Sequence, residues 1–356
     1  MRLPVRYFVP GPVWVDPAIR KAMTQPIVPH RSSEFKQIWT SIGERLQQVF
    51  RTRREVLVAT SSATFALEAA LVSLAPARLL SLTNGAFSER WLAIARSRGI
   101  EATELAVDWG SAVSVDDLST ALAEHRPDVV TVVHCETSTG VLNPIQDLAR
   151  AVREESDALV LVDTVSSLAG AQVEPDEWGL DVVVTASQKA LGLPPGLALF
   201  TVSDRTWDRI AAVETRGFYT DFLRYRDRNA QGGPITTPAI PLIYALDAQL
   251  DRILAEGIGA RWRRHLELQR RTEEWAGAAG FEYASVEGAG SPTVSCLKTP
   301  SGVAAADLVA RLARQGFMVG SGYGRLREST FRIGHMGEIG ESDLEVLFKA
   351  IGASIR

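Results

Sequence analysis

The run Val182-Val183-Val184 restricts this chain more than any other stretch. It is closed by Thr185-Ala186-Ser187 and followed, through Gln188, Lys189 and the turn Pro194-Pro195-Gly196, by a second apolar run, Leu197-Ala198-Leu199-Phe200. A segment this apolar and this rich in β-branched residues reads as a strand buried on both faces, and such strands belong to sheets covered by helices on either side. The run from Ala158 to Val162 has the same character and ends in Asp163. In open sheets of this kind, ligands bind in the crevice outside the carboxyl ends of the strands. Asp163 and Lys189 both stand at such ends.

Each of the two has an ordinary reading on its own: an aspartate capping a turn, a lysine solvated in a loop. Together they suit one cofactor. A lysine walled by Ala190, Leu191 and Pro194 is desolvated, its amine falls in pKa, and it becomes a carbonyl nucleophile. A carboxylate beside a pyridine nitrogen keeps that nitrogen protonated and makes the ring an electron sink. Pyridoxal 5'-phosphate requires both groups.

The rest of the chain supplies the scaffold. Short strands are predicted at 55–59, 78–82, 103–107 and 129–134, alternating with helices at 86–98, 115–124 and 145–153. This βα alternation with right-handed crossovers predicts a doubly wound sheet. The run 197–202 follows its predecessor through a link too short for a helical crossover, so it enters antiparallel. Upstream, Asp16-Pro17 reads as the cap and first position of a helix to about residue 24. From 33 to 50, Phe35, Ile38, Trp39, Ile42, Leu46, Val49 and Phe50 keep helical spacing. Thr60-Ser61-Ser62-Ala63-Thr64 joins a strand to a strong helix former, and a hydroxyl-rich turn at a helix start reads either as an anion site or as a plain cap. It lacks the Gly-Lys-Ser/Thr of a nucleotide loop and the Gly-x-Gly-x-x-Gly of a dinucleotide fold, so a monophosphate suits it better than a nucleotide. Residues 215–231 are polar, aromatic and Arg-rich without clean periodicity and read as irregular. A long helix opening at Thr236-Thr237-Pro238 closes at Gly257, and a second spans 260–279. Strands at 293–297 and 331–333 with helices at 304–314 and 342–351 complete a smaller unit. The expected architecture is α/β. A large cofactor-binding domain over 15–255 has a mostly parallel doubly wound sheet, and a small domain is made of 1–14 and 256–356.

With 356 residues the chain exceeds what one hydrophobic core usually serves, in keeping with two units. A net charge of −4 gives no electrostatic footprint for nucleic acid. The two cysteines, Cys135 and Cys296, are far apart and lack metal spacing, which argues against a disulfide framework and a metal site and reads as two core thiols. The proline-rich start does not resemble a signal peptide, and no apolar run reaches membrane-spanning length. A cytoplasmic protein without nucleic-acid or membrane partners is expected.

Four blocks in this order resemble the class V branch of the fold-type I pyridoxal-phosphate enzymes, and within it the alanine–glyoxylate and serine–pyruvate aminotransferases. They are Ala66-Leu67-Glu68-Ala69-Ala70-Leu71, Glu136-Thr137-Ser138-Thr139-Gly140-Val141, Val162-Asp163-Thr164-Val165-Ser166-Ser167, and Ser187-Gln188-Lys189-Ala190-Leu191 with Pro194-Pro195-Gly196. The resemblance runs from Pro10-Gly11-Pro12 to Arg332-Ile333-Gly334. It implies that Lys189 is the Schiff-base lysine and proton shuttle, that Asp163 partners the pyridinium nitrogen, that Val165 lies under the ring and Phe87 stacks on it, and that Thr137 contacts the ring substituents. Ser62, Ala63 and Thr64 with Gln188 would hold the phosphate. Thr237 would reach the phosphate of a neighbouring subunit, which implies a homodimer with shared active sites. Arg332 would hold the substrate carboxylate through a bidentate pair. Two features depart from the pattern: Ser61-Ser62-Ala63-Thr64 replaces a glycine-rich turn, and Pro234 stands where relatives carry a tyrosine.

The activity so implied is transfer of an amino group from a small amino acid, alanine or serine, to a small 2-oxo acid, glyoxylate or pyruvate. The alternative in the same branch is a phosphoserine or aminoethylphosphonate aminotransferase, for which His30 and Arg31 would bind the second anion, as a His-Arg pair does in phosphoserine aminotransferases. A cysteine desulfurase or lyase would need a mobile loop cysteine, and a non-catalytic binding module would be colourless.

Overall fold

The computed structural model describes residues 6–355. Residues 1–5, assigned above to the small domain, and residue 356 lie outside it. Seven strands form the larger sheet in the order Val56–Thr60, Leu197–Val202, Val182–Ala186, Leu159–Asp163, Val129–Val133, Arg78–Thr83, Glu101–Ala106. All neighbours are parallel except Leu197–Val202, which runs antiparallel to both of its own. The physical reason is the one the sequence suggests. Ten residues with a Pro-Pro-Gly turn connect Ala186 to Leu197 without a helix, so the chain returns beside the strand it left, with Ala198 opposite Ala186 and Val202 opposite Val182.

The β-branched run at 182–184 is explained by which core each side chain enters. Val183 joins a cluster with Phe35, Trp39, Ile42 and Leu250, whereas Val182 and Val184 join the cluster on the other face with Leu71, Trp91, Phe200 and Phe222. Successive residues of a strand point to opposite faces, so a strand feeding two cores has no position left for a polar residue. Each such valine, fully buried, contributes about 1.5–3 kcal/mol of transfer free energy.

A second sheet of five strands has the order Arg6–Phe8, Phe317–Ser321, Thr330–Gly334, Val294–Lys298, Glu282–Tyr283. Its core gathers Phe8, Leu308, Phe331, Ile333, Leu344 and Leu347. Arg6–Phe8 pairs in parallel with Phe317–Ser321, so the start of the described chain is woven into the C-terminal sheet. From there it passes directly over the large sheet: Pro10, Gly11 and Pro12 lead to Val13, whose N–H donates to the Gln188 carbonyl at 3.1 Å.

The segment 215–231 departs from expectation, because residues Phe222–Ala230 form a helix. Asp221 caps it by accepting from the Leu223 N–H at 3.0 Å, and Phe222 and Tyr225 alone are buried. Two apolar positions are too few to mark a period when arginines fill the rest of the surface. The helix Asp204–Ala211, capped by Ser203, the strand Phe317–Ser321 and the hairpin of Cys135–Glu136 with Val141–Leu142 were also not foreseen. The helix expected to open at Thr236-Thr237-Pro238 begins at Ile240. Among the described residues, no helix is long and apolar enough to cross a membrane.

Candidate active site

The carboxyl ends of the central strands open into a cavity of about 280 Å³ lined by Ser62, Ala63, Thr64, Phe87, Thr137, Asp163, Val165, Gln188 and Lys189. Nine of the residues named from sequence therefore share one space. Asp163 ends the strand Leu159–Asp163, and Lys189 follows the adjacent strand Val182–Ala186 after a tight turn.

Lys189 is 9% exposed, and burial lowers its amine from 10.5 to about 8. The neighbouring cations Arg332 and Arg90 push the same way, while Cys135 and Asp163 oppose. Its Nζ donates to the Pro10 carbonyl. The N-terminal segment thus lies against the lysine, and at Gly11 (φ +101°) a Cβ would come within 2.8 Å of Lys189 Cε. Only glycine accommodates both that backbone angle and that approach.

Asp163 is buried as well, and desolvation raises its carboxyl to about 6; the hydrogen bond from the Val165 N–H to Oδ1, at 2.8 Å, and the Arg90 charge act in the opposite direction. Thr137 and Ser166 exchange a hydroxyl–hydroxyl hydrogen bond of 2.6 Å on the cavity wall. Phe87 precedes the helix Ser88–Ser97, and its position is set by the fully buried Glu136, whose carboxylate accepts from the N–H groups of Phe87 at 3.0 Å, Ser88 at 2.8 Å and Ser138 at 3.0 Å. A carboxylate at a helix N-terminus meets the positive end of the macrodipole.

Ser62 is the N-cap of the helix Ala63–Leu74, yet its hydroxyl makes no capping hydrogen bond. Ala63 and Thr64, the first residues of that helix, line the cavity, and no side chain accepts from their N–H groups, an arrangement that suits an anion. A desolvated amine, a buried carboxylate, an aromatic ring and an uncapped helix start are the donor set pyridoxal phosphate needs, so the residues present fit that group. Among the described residues no cluster of His, Cys, Asp or Glu is arranged to hold a metal ion.

Arg332 lies on the strand Thr330–Gly334, 8% exposed. Its Nε donates to the Ser321 carbonyl at 2.9 Å and Nη1 to the Thr137 carbonyl at 3.1 Å, and among the described residues it pairs with no carboxylate. Two backbone carbonyls therefore hold the guanidinium beside the cavity wall while its charge remains uncompensated.

His30, Arg31 and Thr237 are not brought to Lys189 of their own chain. They line a separate cavity of about 250 Å³ together with Lys36, Arg228 and Pro234. Neither thiol is a mobile nucleophile: Cys135 and Cys296 are both buried, and burial raises the Cys135 thiol to about 11.

Four features escaped sequence reading. Arg90 and Cys135 line the cavity, the Pro10–Pro12 segment covers the lysine, and Tyr323 stacks on Phe87 at 5.3 Å between centroids while lying 5.4 Å from the Arg332 guanidinium. Helical spacing offered a signal for Arg90 alone, since it stands one turn beyond Phe87. Tyr323 lies between the strands Phe317–Ser321 and Thr330–Gly334 of the second sheet, and nothing local ties it to residue 87.

The model of the family "Aminotransferase class-V" matches residues 20–328, and the chain belongs to this family of pyridoxal-phosphate-dependent transferases. It is similar to the L-aspartate–glyoxylate aminotransferase of Paracoccus denitrificans, with 34% identity over 93% of this chain and 86% of that one. It is also similar to the serine–glyoxylate aminotransferase of Methylorubrum extorquens, with 30% identity over 95% of this chain and 87% of that one. Among solved structures, the alanine–glyoxylate aminotransferase of Nostoc sp. superposes with a TM-score of 0.95, at 29% identity, covering 100% of this chain and 97% of that one.

Proposed function

We propose that this protein transfers the amino group of a small amino acid, alanine or serine, to a small 2-oxo acid, glyoxylate foremost, with its cofactor attached to Lys189. The observation that carries the reading is that Lys189 and Asp163 open into one cavity while Arg332 stands beside it with no carboxylate partner among the described residues. The three similar proteins named above take glyoxylate and differ in donor, which supports the acceptor more firmly than the donor.

When bound, pyridoxal phosphate supplies a ring that accepts the electron pair released at the substrate α-carbon. The chain does the rest. Arg332 offers a planar fork to the α-carboxylate and orients the amino acid. The Lys189 amine, neutral in appreciable part near pH 8, would take the α-proton on its Nζ and pass it on without giving it back to the α-carbon. Asp163 would partner the ring nitrogen, Phe87 and Val165 would pack against the ring, and Thr137 and Gln188 would give it polar contacts. The uncapped start of Ala63–Leu74, with Ser62, Ala63 and Thr64, would hold the phosphate.

Thr237, His30 and Arg31 belong in this reading to a homodimer, where their basic cavity meets the other copy's cofactor site. The dianionic alternative, phosphoserine or aminoethylphosphonate, needs His30 and Arg31 beside Arg332; within one chain they line a different cavity, so that reading requires the other copy to supply them. A matrix of half-reactions, followed through the cofactor absorbance, tests the reading. Alanine or serine should convert the cofactor and glyoxylate should restore it. Conversion by phosphoserine or aminoethylphosphonate alone would overturn the donor assignment.

A further inference from the structure

The cavity carries one charge that the proposed chemistry leaves unused. Of its lining residues only Lys189 and Arg90 are basic, and Lys189 is occupied by carbonyl and proton chemistry. A phosphate monoester brings about −1.5 to −2 charges at neutral pH, whereas a helix N-terminus returns roughly +0.5. Within one chain, a full positive charge is missing from that balance.

Arg90 sits where it is needed. Its Nη1 lies 3.4 Å from Thr64 Oγ1, the second residue of the helix Ala63–Leu74, and its guanidinium carbon lies 5.0 Å over the Phe87 ring. Among the described residues this long contact to Thr64 is its one side-chain hydrogen bond, and it forms no ion pair. The adjacent carboxylate, Glu89, is turned to Arg325 at 3.2 Å. Burying a guanidinium partway into a cavity wall without a carboxylate costs stability unless an anion arrives. Phe87 holds the side chain against the turn by a cation–π contact, so little rotamer freedom remains to be lost on binding.

We infer that Arg90 is a ligand of the cofactor phosphate, donating beside Thr64 and supplying the charge that the hydroxyl-rich turn lacks. This rests on the proposed cofactor site but not on the identity of donor or acceptor. It assigns Arg90 to holding the cofactor, and Arg332 remains the clamp for the substrate carboxylate.

The test is an equilibrium titration of cofactor-free protein, read by quenching of intrinsic fluorescence, with pyridoxal phosphate, with pyridoxal and with inorganic phosphate as competitor. For Arg90→Gln the dissociation constant of pyridoxal phosphate should rise about 10- to 100-fold, the loss of one charge-assisted hydrogen bond. That of pyridoxal should stay within about twofold, competition by inorganic phosphate should vanish, and Arg90→Lys should recover much of the loss. Equal weakening toward pyridoxal and pyridoxal phosphate would overturn the inference in favour of a packing role. An unchanged affinity for pyridoxal phosphate with a raised KM for the amino donor would overturn it in favour of a substrate contact. Failure of the unsubstituted protein to bind pyridoxal phosphate at all would sink the functional reading itself.

Discussion

At residue 189 burial has a chemical use. An amine lowered from 10.5 to about 8 is a nucleophile near neutral pH, so the rate at which cofactor-free protein captures pyridoxal phosphate should rise with pH through about 8 and level off above it. Stopped-flow absorbance measures this, and a rise centred near 10 would refute the desolvation argument. The same shift has a stability consequence of definite sign. Because the folded pKa lies below the unfolded one, the unfolded chain binds more protons between about 8 and 10.5, and stability rises with pH across that window. Below pH 8 the cost is fully present. Lys189→Met should therefore raise the melting temperature of cofactor-free protein at pH 7 and leave it nearly unchanged at pH 10.5. Asp163 takes part differently. If Asp163 partners the ring nitrogen as proposed, Asp163→Asn keeps the shape and removes the charge, and kcat should fall by about 100-fold or more with the cofactor still bound.

Among the elements, the start of the helix Ser88–Ser97 shows how a ring is aimed. Phe87 is placed by the Glu136 carboxylate, and Glu136 reaches that helix only because residue 85 has no side chain: a Cβ there would stand 2.5 Å from Glu136 Cδ and 2.6 Å from Ser138 Oγ. Gly85→Ala should cost about 1–3 kcal/mol in urea unfolding and weaken cofactor binding along with it; a neutral result would mean that Glu136 can move aside freely. Lys189 and Asp163 were legible because each ends a strand with no polar residue inside it, and strand ends in a parallel sheet converge on one edge. The antiparallel return at 197–202 was legible from the length of its link. Glu136 was not, because a buried carboxylate satisfied by three backbone N–H groups has the same letter as a solvated one. The helix Phe222–Ala230 was missed because two buried aromatic residues make no period. Tyr323 over Phe87, and Pro10 against Lys189, are long-range contacts with no local trace.

Across the whole molecule, the smaller sheet is tied to the lysine loop through one buried cation. Arg261, 1% exposed, pairs with Glu256 at 2.6 Å and Glu338 at 3.0 Å and donates to the Ala190 carbonyl at 2.9 Å, next to Lys189 in the chain. Removing one partner from such a network leaves buried charge uncompensated, so Arg261→Met should cost about 3–5 kcal/mol in denaturant unfolding. A loss below about 1 kcal/mol would show that the network is solvated in solution. What remains is the claim that Lys189 and Asp163 serve opposite ends of one cofactor. Its most direct test is to reduce the pyridoxal-phosphate-loaded protein with borohydride and map the modified peptide by mass spectrometry. The account predicts a single pyridoxyl group on Lys189, absent in Lys189→Ala. A modification at any other lysine, or none, would contradict it.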